Sequence, residues 1–372
     1  MVCLTTVRDQ LFPVDRALIM RLNFPWKRVV AGVLFIATLI ACGTDFSPYW
    51  RIDKLRVMAI KADPIVAKHL EPVTLSALVY APGNGEVRYD WSWCPVRISG
   101  ADNYECPISE EEMGEMSAAF IGGDQPEATF VNPLDEEQVR EFCEALVRLV
   151  LEEIDDPELA GALPVSDCSQ GYEISVRLEV STDEETLVAA KRLTLWGGNE
   201  EYNENPRMEA FQIRPEDPAD LARLRSEAGW TIPAGADHDD QWVDVPEDED
   251  MRVLTDVTFE MRGVVDPESV LMYTPGVPHG QESQPRPEPR EEALVFRYFS
   301  TTGTIEDPRR LYAPPQNTLE EAPIAKLAIS DSQVEEQCQE IEDDGCGVRV
   351  WSIVRDGRLG VDWVERRLLV VQ

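Results

Sequence analysis

The densest set of candidate oxygen ligands in the chain is the segment ADHDDQWVDVPEDED, residues 236–250, where Asp237, Asp239, Asp240 and Asp244 lie close together. Calcium takes six to eight oxygen ligands, so this segment is the candidate calcium site. Its spacing is not that of an EF-hand loop, because the central glycine and closing glutamate are missing. An acidic segment in an acidic chain reads first as a solvated loop, and no cofactor other than calcium is suggested. The run Glu340, Glu342, Asp343, Asp344 has less pattern still. Histidine chemistry is sparse: His69, His238 and His279 neighbour no Gly-x-Ser-x-Gly elbow and form no His-Glu-x-x-His pair. Carboxylates that hydrolyse glycosides need not be close in sequence, so that chemistry stays open. Trp230 and Trp242 flank the acidic segment. Exposed, they would suit stacking on a sugar ring; buried, they would pack the segment onto a sheet.

The elements that would position such groups begin after residue 41. Val29 to Ala41 is an uncharged apolar run of thirteen residues, preceded by Arg21, Lys27 and Arg28. A membrane-spanning helix needs about 20 residues. A charged start, a short apolar middle and a small-residue exit are the parts of a secretory signal peptide. Leu39-Ile40-Ala41-Cys42 resembles the lipobox of bacterial lipoproteins. That resemblance implies cleavage before Cys42, acylation of its thiol and attachment to a membrane. Two acyl chains suffice for stable anchoring, at about 0.8 kcal/mol per buried methylene. Gly43 follows the cysteine where lipoproteins kept at the inner membrane usually carry Asp, so the resemblance implies the outer membrane. Asp9 and Asp15 lie in an unusual place for a leader, and Met20 is the cleaner start.

The chain has 34 basic and 70 acidic residues. Subtracting the five basic and two acidic residues that precede Cys42 leaves 29 against 68. Such a surface repels phosphate backbones and anionic headgroups, which argues against nucleic acid as a partner. The expected membrane contact is the acyl anchor alone. Cys3 and Cys42 belong to the leader and the anchor. Six cysteines remain, and an even number in an exported chain reads as disulfides. Cys338 and Cys346 stand apart and close a short loop together. Among Cys94, Cys106, Cys143 and Cys168 three connectivities are open, and local order favours Cys94–Cys106 with Cys143–Cys168. A zinc site is the rival reading, but no Cys-x-x-Cys pair supports it.

The rest of the sequence is mostly strand-patterned. EPVTLSALVY alternates Val73, Leu75, Ala77 and Val79 against Thr74, Ser76, Leu78 and Tyr80. APGNGE supplies turn residues, and VRYDWSWC puts Val87, Tyr89, Trp91 and Trp93 on one face, which predicts a hairpin. YEISVRLEVSTDEETLVAAKRLTLW predicts a long hairpin turning at Thr182-Asp183-Glu184. The grammar then repeats about 170 residues later. NPRMEAFQIR parallels LRVMAIKADP, and EEALVFRYFSTTG parallels the aromatic strand. VRVWSIVRDGRLGVDWVERRLLVV parallels the long hairpin, with Asp356-Gly357 predicted as a two-residue turn. Residues 133–154 carry Val139, Phe142, Cys143, Leu146, Leu149 and Val150 on one helical face, with Asn132 as the expected cap. A second helix is expected from Pro218 to Ala228, capped by Asp217 and stopped by Gly229.

The P-V-x-L-x-A segment, the Y-x-W segment and the closing strand-turn-strand resemble PKD-like and other bacterial immunoglobulin-like domains. Trp91-Ser92-Trp93-Cys94-Pro95 stands where PKD domains proper carry W-D-F-G-D-G. With the lipobox, the layout is similar to bacterial outer-membrane lipoproteins with two such domains. That implies a fold and an anchor but no activity. The expected architecture is mainly β: two immunoglobulin-like antiparallel β-sandwich domains in tandem with helical insertions. The boundaries are leader 1–41, tether 42–50, first domain 51–197 with helical insertion 133–154, linker 198–206, and second domain 207–372 with insertions 215–250 and 274–292. The expected role is non-enzymatic: a structural, adhesive or binding protein of the cell envelope, contacting an envelope protein complex or glycan. An envelope glycan or peptidoglycan hydrolase working through paired carboxylates, and a calcium-dependent adhesin, are the alternatives.

Overall fold

Val, Ile, Leu and aromatic residues at alternating positions dominate the strands, because such side chains fit a pleated, half-buried surface. The structure is a computed structural model. It describes residues 47–83, 85–113, 120–121, 124–152, 168–198, 203–232, 241–274, 288–338, 340–342 and 345–371. Met20, Cys42, the leader, and Asp237, Asp239 and Asp240 of the calcium candidate lie outside the described residues, as do His238 and His279.

The first half places eight strands in two sheets. They are β1 (Arg56–Asp63), β2 (Val66–Ala67), β3 (Pro72–Tyr80), β4 (Arg88–Cys94), β5 (Phe120–Ile121), β6 (Glu127–Val131), β7 (Tyr172–Ser181) and β8 (Thr186–Leu195). One sheet has the order β1-β3-β6-β5 and the other β2-β8-β7-β4. Lettered along the chain with the short β2 set aside, these are the A-B-E-D and G-F-C sheets of an immunoglobulin sandwich. Val73, Leu75 and Phe130 from one sheet and Trp91, Trp93, Ile174, Val176 and Leu178 from the other bury a common core. Trp93 meets Phe130 edge-to-face at 5.6 Å.

The second half repeats this with β9 (Met208–Pro215), β10 (Val243–Asp244), β11 (Met251–Leu254), β12 (Thr258–Val265), β13 (Met272–Tyr273), β14 (Arg290–Glu291), β15 (Leu294–Ser300), β16 (Thr304–Glu306), β17 (Arg309–Tyr312), β18 (Ala325–Ala328), β19 (Glu340–Glu342), β20 (Gly345–Arg355) and β21 (Val361–Val371). Its two main sheets run β10-β9-β12-β18-β16 and β11-β21-β20-β15-β17, with β19 added on β20, and β13 and β14 form a separate two-stranded sheet. The strands β9, β12, β18 and β16 stand as β1, β3, β6 and β5 do, and β21, β20 and β15 stand as β8, β7 and β4 do. In both halves a short strand adds to the last one in parallel, β2 on β8 and β11 on β21. The repeat read from the sequence thus pairs strands that occupy matching places.

Three local expectations change. β3 and β4 are not a hairpin, because they pair in different sheets. The connection carries the chain over the core, as the B–C connection of this fold does. The second long hairpin does not turn in two residues: Arg355 pairs with Val361, leaving the five-residue loop Asp356–Gly360. Asp356 closes that loop by accepting from the backbone N–H of Arg358 and of Gly360, both at 2.7 Å. Leu359 takes the left-handed conformation there, at φ 82°. Lastly, the inserted helix starts later than expected. Short α1 spans Glu110–Met113, and α2 spans Glu136–Glu152. Asp135 caps α2, accepting from the N–H of Gln138 at 2.9 Å while Gln138 Oε1 accepts from the N–H of Asp135. Asn132 instead accepts from Leu134 N and donates to the carbonyl of Ala67.

Val139 and Cys143 of α2 are fully buried, and Phe142 packs edge-on against Tyr172 at 5.4 Å. The side chains of Leu149 and Val150 lie outside the described residues. The disulfides are Cys94–Cys106, Cys143–Cys168 and Cys338–Cys346, with Cα separations of 5.5, 5.7 and 6.0 Å. Cys143–Cys168 ties α2 to the chain just before β7. In the second half α3 (Leu221–Glu227) follows a 3-10 turn whose Asp217 cap accepts from Ala219 N. A capping box of Ser330 and Gln333 starts α4 (Asp331–Gln337).

Candidate functional site at the junction of the sandwiches

Tyr49–Gln372 form one compact unit, so the two sandwiches share a junction. The alternation of β3 explains how. Val73 and Leu75 bury one face in the first core, while Leu78 and Tyr80 bury the opposite face in a second apolar cluster. That cluster joins Ile52, Met58, Ala59, Leu78 and Tyr80 to Phe299, Trp351, Ile353 and Val361. Tyr80 and Trp351 meet edge-to-face at 5.4 Å. Leu78 and Tyr80, read from sequence as the face opposite Val73 and Leu75, are therefore buried against the second half.

Polar groups fix the register of this seam. Lys61 Nζ lies 2.9 Å from Asp362 Oδ1, and Asp362 Oδ2 accepts from Met208 N at 2.8 Å. The buried linker amide Asn205 donates to Ala62 O and accepts from Val361 N. Asn203 donates to Arg358 O at 2.9 Å and to Asp356 Oδ2 at 3.3 Å. Arg355 reaches across to the carbonyl of Met58 at 2.7 Å.

Beside the seam is a cleft of 280 Å³, lined by Ile60, Lys191, Arg192, Arg355, the Asp356–Gly360 loop and Val361 among others. Lys191 donates to the carbonyl of Leu359. Burial pushes its ammonium down to about 8, with Asp356 opposing that shift and Arg355 and Arg192 adding to it. Burial, then Arg297, lowers the Arg355 guanidinium. Near the same loop, the Glu292 side chain is 2% exposed and pairs with Arg358 at 3.1 Å. Burial, then the Asp356 charge, pushes the Glu292 carboxyl above its ordinary value, against the pull of Arg358.

The residues singled out in the sequence fall elsewhere. Asp244 sits exposed on β10, where its carboxylate accepts from Gln212 Nε2 at 2.8 Å. Among the described residues no group of three His, Cys, Asp or Glu side chains could hold a metal. Trp230 is buried, donates to Arg252 O at 2.7 Å and packs on Phe259. Trp242 is half-buried, with the guanidinium groups of Arg214 and Arg262 at 4.5 and 4.2 Å from its ring. Both indoles thus serve the packing reading rather than an open sugar platform. The cleft residues carried no sequence signal, because Lys191 and Arg355 come together only when the two halves dock.

No family model and no curated relative matches the sequence. Among solved structures, a chimeric titin Z1Z2 matches at 8% identity and TM-score 0.18, over 85% of this chain and 99% of that one. Three N-terminal domains of the bacteriophage RB49 outer capsid protein Hoc match at 10% identity and TM-score 0.18, over 86% and 70%. A Dscam structure matches at 11% identity and TM-score 0.21, over 86% and 78%. TM-scores this low carry no argument, and the immunoglobulin-like assignment rests on the strand order above.

Proposed function

We propose that this chain is a lipid-anchored protein of the bacterial cell envelope with a non-catalytic structural, adhesive or binding role. Cys42 of the LIAC sequence carries the acyl chains and attaches the protein to the outer membrane. The two sandwiches, within the bounds 51–197 and 207–372, form the binding part, which engages an envelope protein complex or glycan. The carrying observation is the junction: an apolar seam around Tyr80 and Trp351, stitched by Asn205 and Lys61–Asp362. A seam of this kind holds the surface loops of two modules in one arrangement, which suits recognition better than turnover. Loops on a rigid scaffold are where binding residues concentrate.

The carboxylates near the cleft also support a non-catalytic reading. Asp356 is engaged by three N–H groups of its own loop and linker, and Glu292 is paired with Arg358. Neither is set as a free acid or base across a shared opening.

The test is metabolic labelling with radioactive palmitate and a crosslinking pull-down from native envelopes, with Cys42→Ser as control. Label on the wild type alone, with a stoichiometric partner or glycan recovered only from the anchored protein, is the expected result. An unlabelled wild type would overturn the anchor. Release of glycan fragments by the purified protein would overturn the non-catalytic role.

A further inference from the structure

We propose that the cleft between Lys191 and Arg355 is a binding site for a small oxyanion, a carboxylate or phosphate group carried on an envelope ligand. This deepens the binding reading above by naming the ligand chemistry.

The local charge runs against that of the chain. Acidic residues outnumber basic ones two to one overall, yet the cleft is lined by Lys191, Arg192 and Arg355 against a single carboxylate, Asp356. That carboxylate is already engaged. Its Oδ1 accepts from Arg358 N and Gly360 N, and its Oδ2 from Asn203 Nδ2.

Two of these three cations are under-compensated, whereas the third, Arg192, pairs with Glu173 at 3.1 Å. Elsewhere this chain pairs its arginines with carboxylates, as in Arg214–Glu260, Arg349–Glu365 and Arg367–Asp250. Among the described residues, no carboxylate lies within ion-pair distance of Lys191 or Arg355. Each donates instead to a backbone carbonyl, Leu359 O and Met58 O. An ammonium has three donors and a guanidinium five, so one carbonyl does not exhaust either group. Lys191 and Arg355, both partly withdrawn from water, repel one another, and a bound anion offsets that cost. Burial first, then Arg355 and Arg192, lowers the Lys191 ammonium against the pull of Asp356.

Size and lining narrow the ligand. At 280 Å³ the cleft lies just under the ~300 Å³ lower bound for drug-sized ligands. It suits one charged group with a ring or short carbon chain. Ile60, Leu359 and Val361 supply apolar wall for that part.

The experiment is calorimetric titration of the full-length chain in detergent micelles at pH 7, using inorganic phosphate, acetate and glucuronate as separate probes. We expect saturable one-site binding of at least one probe, weakened at least tenfold by Lys191→Gln and by Arg192→Gln. Arg192 is exposed, so its variant keeps the fold even where the Lys191 variant does not; thermal unfolding of each variant checks this. Binding should take up protons from buffer, because an anion raises the Lys191 ammonium. Glucuronate without phosphate points to an acidic sugar, and the reverse to a phosphorylated ligand. Saturable binding of none of the probes, or binding unchanged in both variants, overturns the site. If that happens while the pull-down still recovers a Cys42-dependent partner, only the oxyanion site is lost and the binding role stands.

Discussion

Asn205 Nδ2 donates to the carbonyl of Ala62 at 2.8 Å, binding a residue of the linker to the first strand of the sandwich it leaves. Its Oδ1 simultaneously accepts from Val361 N at 3.0 Å, in the last strand of the second sandwich. One buried amide therefore satisfies a backbone acceptor in one half and a backbone donor in the other. A linker so bound holds the two modules as one body.

Asn205→Ala should leave both backbone groups buried and unpaired. Each such group costs about 1–3 kcal/mol, so the expected loss for the two is about 2–6 kcal/mol. Urea unfolding read by tryptophan fluorescence measures it. A loss below 1 kcal/mol would mean that water replaces the amide and that the linker is not a clamp.

Trp351 tests the apolar half of the same junction. It is 1% exposed and packs edge-to-face on Tyr80 across the seam. Trp351→Ala should cost about 3–5 kcal/mol, as large aromatic truncations in a core do. Because the lost contacts lie between the modules, the single unfolding transition should split in two. Calorimetry shows the split; one sharp transition, merely shifted down, would place Trp351 in the second core alone.

What could be read in advance follows from what is local. β7, β8, β20 and β21 carry their alternation in contiguous residues, and both long hairpins were legible. Adjacent cysteines made the disulfide pairing readable for the same reason. APGNGE has the residues of a tight turn, but turn chemistry does not say which sheet the next strand joins, so the β3–β4 hairpin was misread. That the Leu78 and Tyr80 face is covered as well is not legible in the sequence, because its cover, Phe299 and Trp351, lies more than 200 residues away. Asp356-Gly357 looked like a two-residue turn, yet the Asp356 side chain reaches Gly360 and sets a longer loop. The cleft was invisible, since Lys191 and Arg355 belong to different modules and neither has a motif around it.

Glu292 and Arg358 give a prediction in which the two partners behave differently. The Glu292 carboxyl is buried and held above its ordinary value, while Arg358 is the group that restrains it. Arg358→Met leaves a buried carboxylate without its guanidinium, and breaking a buried pair this way costs about 3–5 kcal/mol. Glu292→Gln removes the charge that burial penalises and should cost clearly less at pH 7. The pH dependence has a sign. A carboxyl whose folded value is raised is protonated more readily in the folded chain, so its penalty fades as pH falls through that raised value. The deficit of Arg358→Met should therefore shrink between pH 7 and 5, and chemical unfolding at both pH values measures it. Equal losses for the two variants, constant with pH, would show that the pair is not electrostatically coupled.

Lys191 has the opposite sign. Its ammonium loses its proton at about 8 in the folded chain, against an ordinary value of 10.5. Between those values the unfolded chain binds more protons, so stability should rise with pH across the window. Below about 8 the cost of burying the charged ammonium is fully present and flat. At 1.36 kcal/mol per pH unit, the whole rise amounts to about 3 kcal/mol. Lys191→Met removes the titrating group, so its stability should lack this rise. The variant should also approach or exceed the wild type at pH 7, where the wild type bears the full cost. Subtracting one unfolding curve from the other between pH 7 and 10.5 cancels the other lysines and the tyrosines. Parallel curves would mean that Lys191 keeps its hydration, and the cationic cleft would lose the feature that makes an anion welcome there.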